Sequence, residues 1–247
     1  MRKIKVGAVS YLNTKPLIYG FEQGMMKDSI EMIADYPASI AAKLLNDEID
    51  LGLVPVAIIP KLSEYHIIGD YCIGADGEVA SVCLFSDVPM EEITEVLLDY
   101  QSRTSVQLAK ILLKEYWKIN PKLINAKADF REHIKGSTAG LVIGDRAFEQ
   151  RKASAYIYDL GKAWKALTGL PFVFAAWISN KKLDDDFIRS FNAATGTGVQ
   201  VIDKIVAQNV YSLFDLKKYF TQHISYTMDE RKKAGLSLFL EKLKTIG

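Results

Sequence analysis

Residues 95–117, EVLLDYQSRTSVQLAKILLKEYW, contain the pattern on which the fold assignment depends. The apolar run at 96–98 predicts a short buried strand, and the apolar residues after the turn recur at helical spacing. The turn between them is SRTS, residues 102–105, in which Ser102 or Thr104 is a natural N-cap. This stretch therefore predicts a strand, a tight turn and a helix.

The start of this predicted helix is a candidate anion site. The first backbone N–H groups of a helix have no partner within it. The same turn supplies the Arg103 guanidinium and the hydroxyls of Ser102, Thr104 and Ser105. Such donors suit a carboxylate or a phosphate. A capped helix with a surface arginine is an equally good interpretation of the local sequence.

Composition excludes several classes of protein. The chain has 247 residues, of which 49% are hydrophobic and 25% charged, so it can bury a core in one large or two modest domains. A formal charge of +1 without a dense basic block argues against a nucleic-acid partner. The N-terminal MRKIKVGAVSY continues into a strand-length run rather than a signal-peptide segment. We expect a cytoplasmic protein without a membrane partner, whose oligomeric state the sequence leaves open.

Strand-like and helix-like runs alternate along the chain and predict an α/β fold with largely parallel sheets. In such sheets, ligands bind at the carboxyl ends of strands. The predicted strand at 5–9 leads into the polar loop 10–15, and the one at 139–143 leads into Gly-Asp-Arg at 144–146. The run at 172–178 is almost wholly apolar, which is typical of a central strand buried on both faces.

The order of these runs predicts two lobes with a cleft between them. Residues 1–87 and 173–247 form the first predicted lobe, and residues 88–172 form the second. The loop 10–15, the segment 79–86, the SRTS turn and the turn at 144–145 are expected to line the cleft.

Six stretches, taken together, resemble one enzyme family. They are VGAVSYLNTKPLIYG (6–20), DLGLVPVA (50–57), SVCLFSDVP (81–89), LDYQSRTSVQLAKILL (98–113), LVIGDRAF (141–148) and DLGKAWKALTGLPFVFAAW (159–177). In this order they are similar to the chorismate dehydratases of the futalosine route to menaquinone. The resemblance implies a type II periplasmic-binding-protein-like fold, with two α/β lobes hinged around a ligand. It also implies a cytoplasmic lyase that converts chorismate to 3-[(1-carboxyvinyl)oxy]benzoate by loss of water.

Chorismate carries two carboxylates, so its cleft needs hydrogen-bond donors more than acceptors. Arg103 and its neighbouring hydroxyls are expected to hold one carboxylate. The residues expected to supply the other donors and the ring contacts are Ser10, Asn13 and Lys15 near the first lobe, Ser81 and Ser86 from a neighbouring strand, and Tyr11 and Trp177 as aromatic walls. Aromatic residues in such strands are core residues at least as often as they wall a ligand.

Dehydration requires an acid and a base, or substitutes for them. Asp145 is the best-placed carboxylate, although capping the following helix is an equal alternative. Asn13 is expected to orient the substrate by hydrogen bonds. Because the three histidines are poorly placed, we hypothesise that the enolpyruvyl carboxylate of the substrate is the base. No metal-ligand spacing or phosphate loop is visible in the sequence, so we expect no metal and no cofactor.

Three alternative functions fit the same fold. A solute-binding protein would hold a carboxylate ligand without catalysis, but would be expected to carry an export signal. The effector domain of a regulator would be expected to bring a DNA-binding module. The related dihydroxynaphthoate synthase of the same pathway is the nearest alternative. The S-Y-L-N and S-R-T-S segments favour the dehydratase.

Overall fold

Two β-sheets carry the fold in the computed structural model, which describes residues 2–246. The strands are β1 (Ile4–Val9), β2 (Ile30–Asp35), β3 (Leu51–Pro55), β4 (His66–Ala75), β5 (Val82–Ser86), β6 (Glu95–Leu98), β7 (Lys122–Asn125), β8 (Thr138–Ile143), β9 (Tyr156–Asp159), β10 (Phe172–Ser179) and β11 (Ser225–Thr227). The helices are α1 (Lys15–Glu22), α2 (Pro37–Leu45), α3 (Thr104–Glu115), α4 (Asp145–Gln150), α5 (Leu160–Thr168), α6 (Asp185–Gln200), α7 (Ile202–Gln208), α8 (Leu216–Lys218) and α9 (Glu230–Leu243). Short 3-10 helices at Leu12–Thr14 and Val56–Lys61 and a π-helix at Tyr219–His223 complete the parts that bear on the site.

The first sheet has six strands in the order β11-β4-β10-β3-β1-β2, and with its helices it forms the first lobe. The second sheet has five strands in the order β7-β6-β8-β5-β9 and forms the second lobe. Strand β6 is followed by the SRTS turn and then by α3, as the sequence predicts.

The prediction of largely parallel sheets is only partly right. Strand β1 pairs parallel with β2 and β3, and β6 pairs parallel with β7 and β8. Strand β10 is antiparallel to both of its neighbours, and β5 is antiparallel to both of its own. The chain reaches β10 from the second lobe and not through a crossover helix from β3 or β4, and such a crossover is what makes neighbouring strands parallel.

The chain passes from the first sheet to the second between Ala75 and Val82. A lobe boundary at residue 87 therefore leaves β5 in the wrong lobe, because β5 pairs with β8 and β9. The run is apolar throughout, so hydrophobicity does not tell which sheet it joins. The predicted return at 172–173 coincides with the start of β10 at Phe172.

Strand β10 crosses the middle of the first sheet and is buried along nearly its whole length, as its apolar sequence predicts. Trp177 on this strand packs at a ring-centroid distance of 5.0 Å from Phe191 of α6 and 6.4 Å from Phe21 of α1.

Cys72 and Cys83 are buried and unlinked. Between residues 2 and 246, no helix combines the length and the apolar character needed to cross a membrane.

Candidate active site

A cavity of about 60 Å³ lies between the two lobes. Its lining is mostly apolar, with hydroxyls, one amide and one phenol. The residues are Val9, Tyr11, Asn13, Pro37, Leu53, Pro55, Ile73, Val79, Val82, Ser102, Thr104, Ser105, Ile143, Gly144, Phe174 and Ala175. Both the loop after β1 and the SRTS turn contribute, so the structure brings together the two segments on which the sequence prediction rests.

Tyr11 and Asn13 reach the cavity from the loop between β1 and α1. Pro16 occupies the first turn of α1, where its missing N–H is no loss, and the 3-10 helix just before it carries Asn13. The side chain of Asn13 is only 8% exposed. Its backbone carbonyl accepts a hydrogen bond of 3.1 Å from the hydroxyl of Tyr226. Asn13 is therefore held from behind while it lines the cavity.

The SRTS turn faces this loop from the second lobe. The Ser102 hydroxyl accepts a hydrogen bond of 3.0 Å from the backbone N–H of Ser105 and thereby caps the start of α3. The Thr104 hydroxyl oxygen accepts a hydrogen bond of 3.1 Å from the backbone N–H of Ala57 in the first lobe. The start of α3 is thus both a lining of the cavity and a contact between the lobes.

Arg103 does not line this cavity. Its side chain borders an adjoining cavity of about 350 Å³, together with Lys61 and Lys110. Within residues 2–246, the buried Nε of Arg103 has no hydrogen-bond partner. Ser102 lines both cavities, so the two are neighbours across the SRTS turn.

Asp145 forms a hydrogen bond between the lobes. Its two carboxylate oxygens accept from the backbone N–H of Leu12, at 3.2 and 3.3 Å. Burial raises the pKa of Asp145 to about 6, while the Leu12 N–H and the charge of Lys15 act in the opposite direction. The predicted alternative, a cap on the following helix, is wrong, because Asp145 is the first residue of α4 and its carboxylate binds Leu12 instead.

The residue before Asp145 must be a glycine. Gly144 has a φ of 65°, and a Cβ at this position would lie 2.8 Å from the ring of Tyr11. The close approach of Tyr11 to this turn brings the two lobes into contact at the cavity.

Tyr11 also enters a polar network that the sequence reasoning missed. Its hydroxyl donates to the side-chain oxygen of Gln101, which accepts a second bond of 3.0 Å from Arg146. Arg146 forms an ion pair of 2.7 Å with the buried carboxylate of Asp99. Asp99 comes directly after β6, and Arg146 lies in the first turn of the helix that follows the neighbouring strand β8. This placement of opposite charges was a signal that could have found the pair. Burial raises the pKa of Tyr11, so its hydroxyl is a neutral donor near pH 7.

Three predicted binding residues lie elsewhere. Ser10 and Lys15 line a separate cavity of about 410 Å³ beside α1 and β2. Ser86 ends β5, roughly 13 Å along the strand from Val82, and its hydroxyl donates to the Val88 carbonyl at 2.8 Å.

Two further predicted residues are buried behind the cavity. Trp177 is a core residue and does not line the cavity. Phe174 of the same strand lines it instead. Ser81 is fully buried and accepts a hydrogen bond of 2.7 Å from the hydroxyl of Tyr219. A strand turns successive side chains to opposite faces, and the nearly continuous apolar sequence of β10 does not show which face meets the ligand.

A search of residues 2–246 finds no group of three or more His, Cys, Asp or Glu side chains arranged to hold a metal ion. The expectation that the protein uses no metal and no cofactor stays a prediction.

The two-lobed fold defines the class of the protein. A protein from Archaeoglobus fulgidus superimposes with a TM-score of 0.78 at 15% identity, covering 98% of this chain and 97% of its own. A Candida albicans protein, described as exhibiting the generic periplasmic binding protein fold, has a TM-score of 0.59 at 15% identity and covers 97% and 90%. The chain has a periplasmic-binding-protein-like fold with a cavity between its lobes.

Sequence comparison assigns the chain to a family within this fold. A family model described as menaquinone biosynthesis matches residues 4–245, and the chain belongs to this family. It is similar to the chorismate dehydratase of Thermus thermophilus, with 25% identity over 266 residues, 98% of this chain and 96% of the relative. It is also similar to the chorismate dehydratase of Campylobacter jejuni, with 23% identity over 249 residues and 97% of each chain.

Proposed function

We propose that this protein is a chorismate dehydratase. The reaction removes the hydrogen from the ring carbon that bears the enolpyruvyl ether and the hydroxyl from the adjacent carbon. A base takes the proton, the electrons of the C–H bond become the new ring double bond, and hydroxide leaves. The base then passes the proton to the hydroxide, and water and 3-[(1-carboxyvinyl)oxy]benzoate result. The observation that carries the proposal is the cavity itself, where the hydroxyls at the start of α3 face the Asn13 amide across apolar walls.

One substrate carboxylate is assigned to the N-terminal end of α3. The backbone N–H groups there and the hydroxyls of Thr104 and Ser105 are donors at the edge of an apolar cavity, where such hydrogen bonds are strong. The Thr104 oxygen already accepts from Ala57, so its own proton is available for a ligand. Asn13 from the opposite lobe is assigned to the leaving hydroxyl or to the enolpyruvyl carboxylate.

The substrate's own enolpyruvyl carboxylate is assigned as the base. The cavity is lined by apolar groups, hydroxyls, one amide and the Tyr11 phenol, whose raised pKa makes it a poor proton acceptor near pH 7. The nearby carboxylate, Asp145, accepts the Leu12 N–H. An intramolecular base held in the right geometry can gain about 7–11 kcal/mol from proximity. This gain is sufficient to replace a dedicated side chain.

The lobes must separate to admit the substrate. Sites for ligands of this size enclose about 300–1,000 Å³, far more than the 60 Å³ between the closed lobes. Opening would break the Leu12–Asp145 and Ala57–Thr104 hydrogen bonds. It would also join the central cavity to the 350 Å³ cavity beside Arg103, which would bring the Arg103 guanidinium within reach of a substrate carboxylate.

The direct test is incubation of the purified protein with chorismate, followed by proton NMR. The expected result is loss of the signal of the proton on the ether-bearing ring carbon, movement of the signal of the proton on the hydroxyl-bearing carbon into the aromatic region, and appearance of an aromatic enol ether. Saturable binding of chorismate without any new aromatic signal would instead indicate a solute-binding protein. If the protein neither bound nor converted chorismate, the proposal would be overturned. The related dihydroxynaphthoate synthase activity would then be the next to assay.

A further inference from the structure

Three tyrosines from one C-terminal segment each donate a hydrogen bond to a residue that lines the cavity or directly adjoins its lining. Tyr226 donates to the Asn13 carbonyl at 3.1 Å, Tyr219 to the Ser81 hydroxyl at 2.7 Å, and Tyr211 to the Asp145 carbonyl at 3.3 Å. Asn13 belongs to the first lobe, Asp145 to the second, and Ser81 to the crossover between them. The segment therefore supports the cavity from behind at three points.

Tyr219 is the innermost of the three. It is fully buried and begins the π-helix Tyr219–His223, a rare element that is frequent at functional sites. Burial raises the pKa of Tyr219 far above its ordinary value, although its contact with Ser81 acts the other way. The hydroxyl is therefore protonated near pH 7, and it acts as a donor to Ser81.

This donation determines how Ser81 can act. Since the Ser81 oxygen accepts from Tyr219, its own proton must point to another acceptor. The acceptor found among the described residues is the Val79 carbonyl at 3.5 Å, the outer limit of a hydrogen bond. The Ser81 carbonyl in turn accepts from the Gly144 N–H at 2.9 Å, which ties this serine to the turn that carries Asp145.

The Tyr219 hydroxyl also lies near Asn13, the candidate catalytic residue of the first lobe. The side chain of Asn13 lies near the Tyr219 hydroxyl and acts to lower its pKa, an effect smaller than that of burial. The Tyr219 hydroxyl is thus bonded to the serine of the crossover, while Tyr226 holds the Asn13 backbone from the same C-terminal segment.

Aromatic packing prevents Tyr219 from turning away. Its ring lies 5.0 Å from that of Phe148, edge to face, and Phe148 stacks at 4.5 Å on Phe214. Phe148 is on α4, the helix that begins with Asp145. The ring is therefore held between the C-terminal segment and the second lobe.

We infer that Tyr219 is a positioning residue for the dehydration: its buried hydroxyl fixes Ser81, whose carbonyl in turn holds the Gly144 turn at the cavity. The inference rests on the proposed function and deepens it. With this hydroxyl removed, Ser81 loses the donor that orients it, and the cavity lining that depends on it, the Gly144 turn and the nearby Asn13 amide, is no longer preset.

Tyr219→Phe removes only the hydroxyl and keeps the ring. The kcat for chorismate is expected to fall about tenfold, the equivalent of one net hydrogen bond, with KM within about twofold of wild type. The matched control is Tyr19→Phe, because Tyr19 is also buried and its hydroxyl has no partner within residues 2–246. The control should keep the wild-type kcat. A Tyr219→Phe kcat equal to that of the control would overturn the inference.

Two further measurements separate positioning from a general loss of stability. In a double-mutant cycle, Ser81→Ala should cost much less in the Tyr219→Phe background than in wild type, because the two groups act as a pair. The side-chain amide NMR signals of Asn13 should shift in Tyr219→Phe and stay in place in Tyr19→Phe. Additive effects on kcat, or unmoved Asn13 signals, would overturn the inference. The NMR comparison needs no turnover, so a wild-type protein inactive on chorismate would overturn the proposed function separately.

Discussion

Two carboxylates of the second lobe hold backbone N–H groups in different ways. Asp159 is the last residue of β9, and its oxygens accept from Val79 at 3.1 Å, from Ala80 at 2.7 Å and from Lys162 at 2.9 Å. Asp145 follows β8 and accepts from one backbone group, Leu12, at 3.2 Å. The first carboxylate holds the crossover between the lobes, and the second holds the lobes together across the cavity.

The difference indicates which contact can open. Asp159 is almost fully buried, and its bonds fix Ala80 at a φ of 64°, a conformation that non-glycine residues rarely adopt. Asp145 is partly exposed, and water can replace its single partner when the lobes part. We therefore expect the crossover to act as a fixed hinge and the Leu12–Asp145 bond, here called the clasp, to break when the lobes separate.

Asp159→Ala should have the largest effect, because it leaves the buried N–H groups of Val79 and Ala80 without an acceptor. The free energy of unfolding should fall by about 3–5 kcal/mol, measured by urea denaturation. The control is Asp184→Ala, which removes an exposed N-cap of α6 and should cost about 1 kcal/mol. Equal losses in Asp159→Ala and Asp184→Ala would mean that Asp159 stabilises the crossover no more than an exposed cap stabilises a helix. That result would contradict its role in a fixed hinge.

Asn13→Ala tests the role of the Asn13 amide in turnover. Asn13 directly follows Leu12, whose N–H forms the Leu12–Asp145 clasp. It removes the cavity's amide but leaves the Leu12 N–H and the Asn13 carbonyl in place, so folding should change little. The kcat for chorismate should fall about 100-fold, the usual loss for one preorganised donor at a reacting group. Asn120→Ala, on the surface of the second lobe, is the control and should keep full activity. Wild-type kcat in Asn13→Ala would remove Asn13 from the mechanism.

Arg103→Lys tests whether opening brings the two cavities together. Lysine keeps the charge but loses the planar fork that matches a carboxylate. The KM for chorismate should rise about tenfold, with stability unchanged, as one paired hydrogen bond is lost. Lys114→Arg, a surface change on the same helix, is the control. An unaltered KM would place the carboxylate anchor away from the cavity beside Arg103.

Asp145→Asn should have a small effect on stability that depends on pH. The folded pKa of about 6 lies above the ordinary value of 3.8 for an aspartate. The folded state therefore binds the proton more tightly, and wild type loses stability as pH rises from about 4 to about 6. Above this window, Asp145→Asn should be more stable than wild type by about 1 kcal/mol, since partial exposure weakens the effect.

Melting temperatures of both proteins between pH 4 and pH 8 check this expectation. The difference between the two curves should grow up to about pH 6 and then stay constant. A constant difference over the whole range would mean that the buried carboxyl does not titrate as described.

The sequence was informative where local chemistry and chain order suffice. The strand, turn and helix at 95–117 are confirmed, and Tyr11, Asn13, Ser102, Thr104 and Ser105 do line one cavity. The strand at Phe172–Ser179 is central, as its apolar run predicts. Cytoplasmic location and the absence of a nucleic-acid partner stay predictions.

The remaining site residues depend on which strands pair and which way they face. Ser86 and Trp177 belong to strands that the sequence identified, but register and facing turn them away from the cavity. Tyr219 lies more than 130 residues from Ser81 in the chain, and no local pattern predicts a contact at that separation. The antiparallel course of β10 follows from the route of the chain between the lobes, which periodicity does not reveal.

The central claim, that the substrate supplies the base, is tested most directly by the turnover of chorismate by Asp145→Asn. The account predicts substantial kcat in this variant and a pH–rate profile without a step near pH 6, because the Asp145 carboxylate holds the clasp and does not take the proton. Chorismate binding is measured in parallel by isothermal titration. Loss of turnover with binding intact would make Asp145 the base and contradict the account.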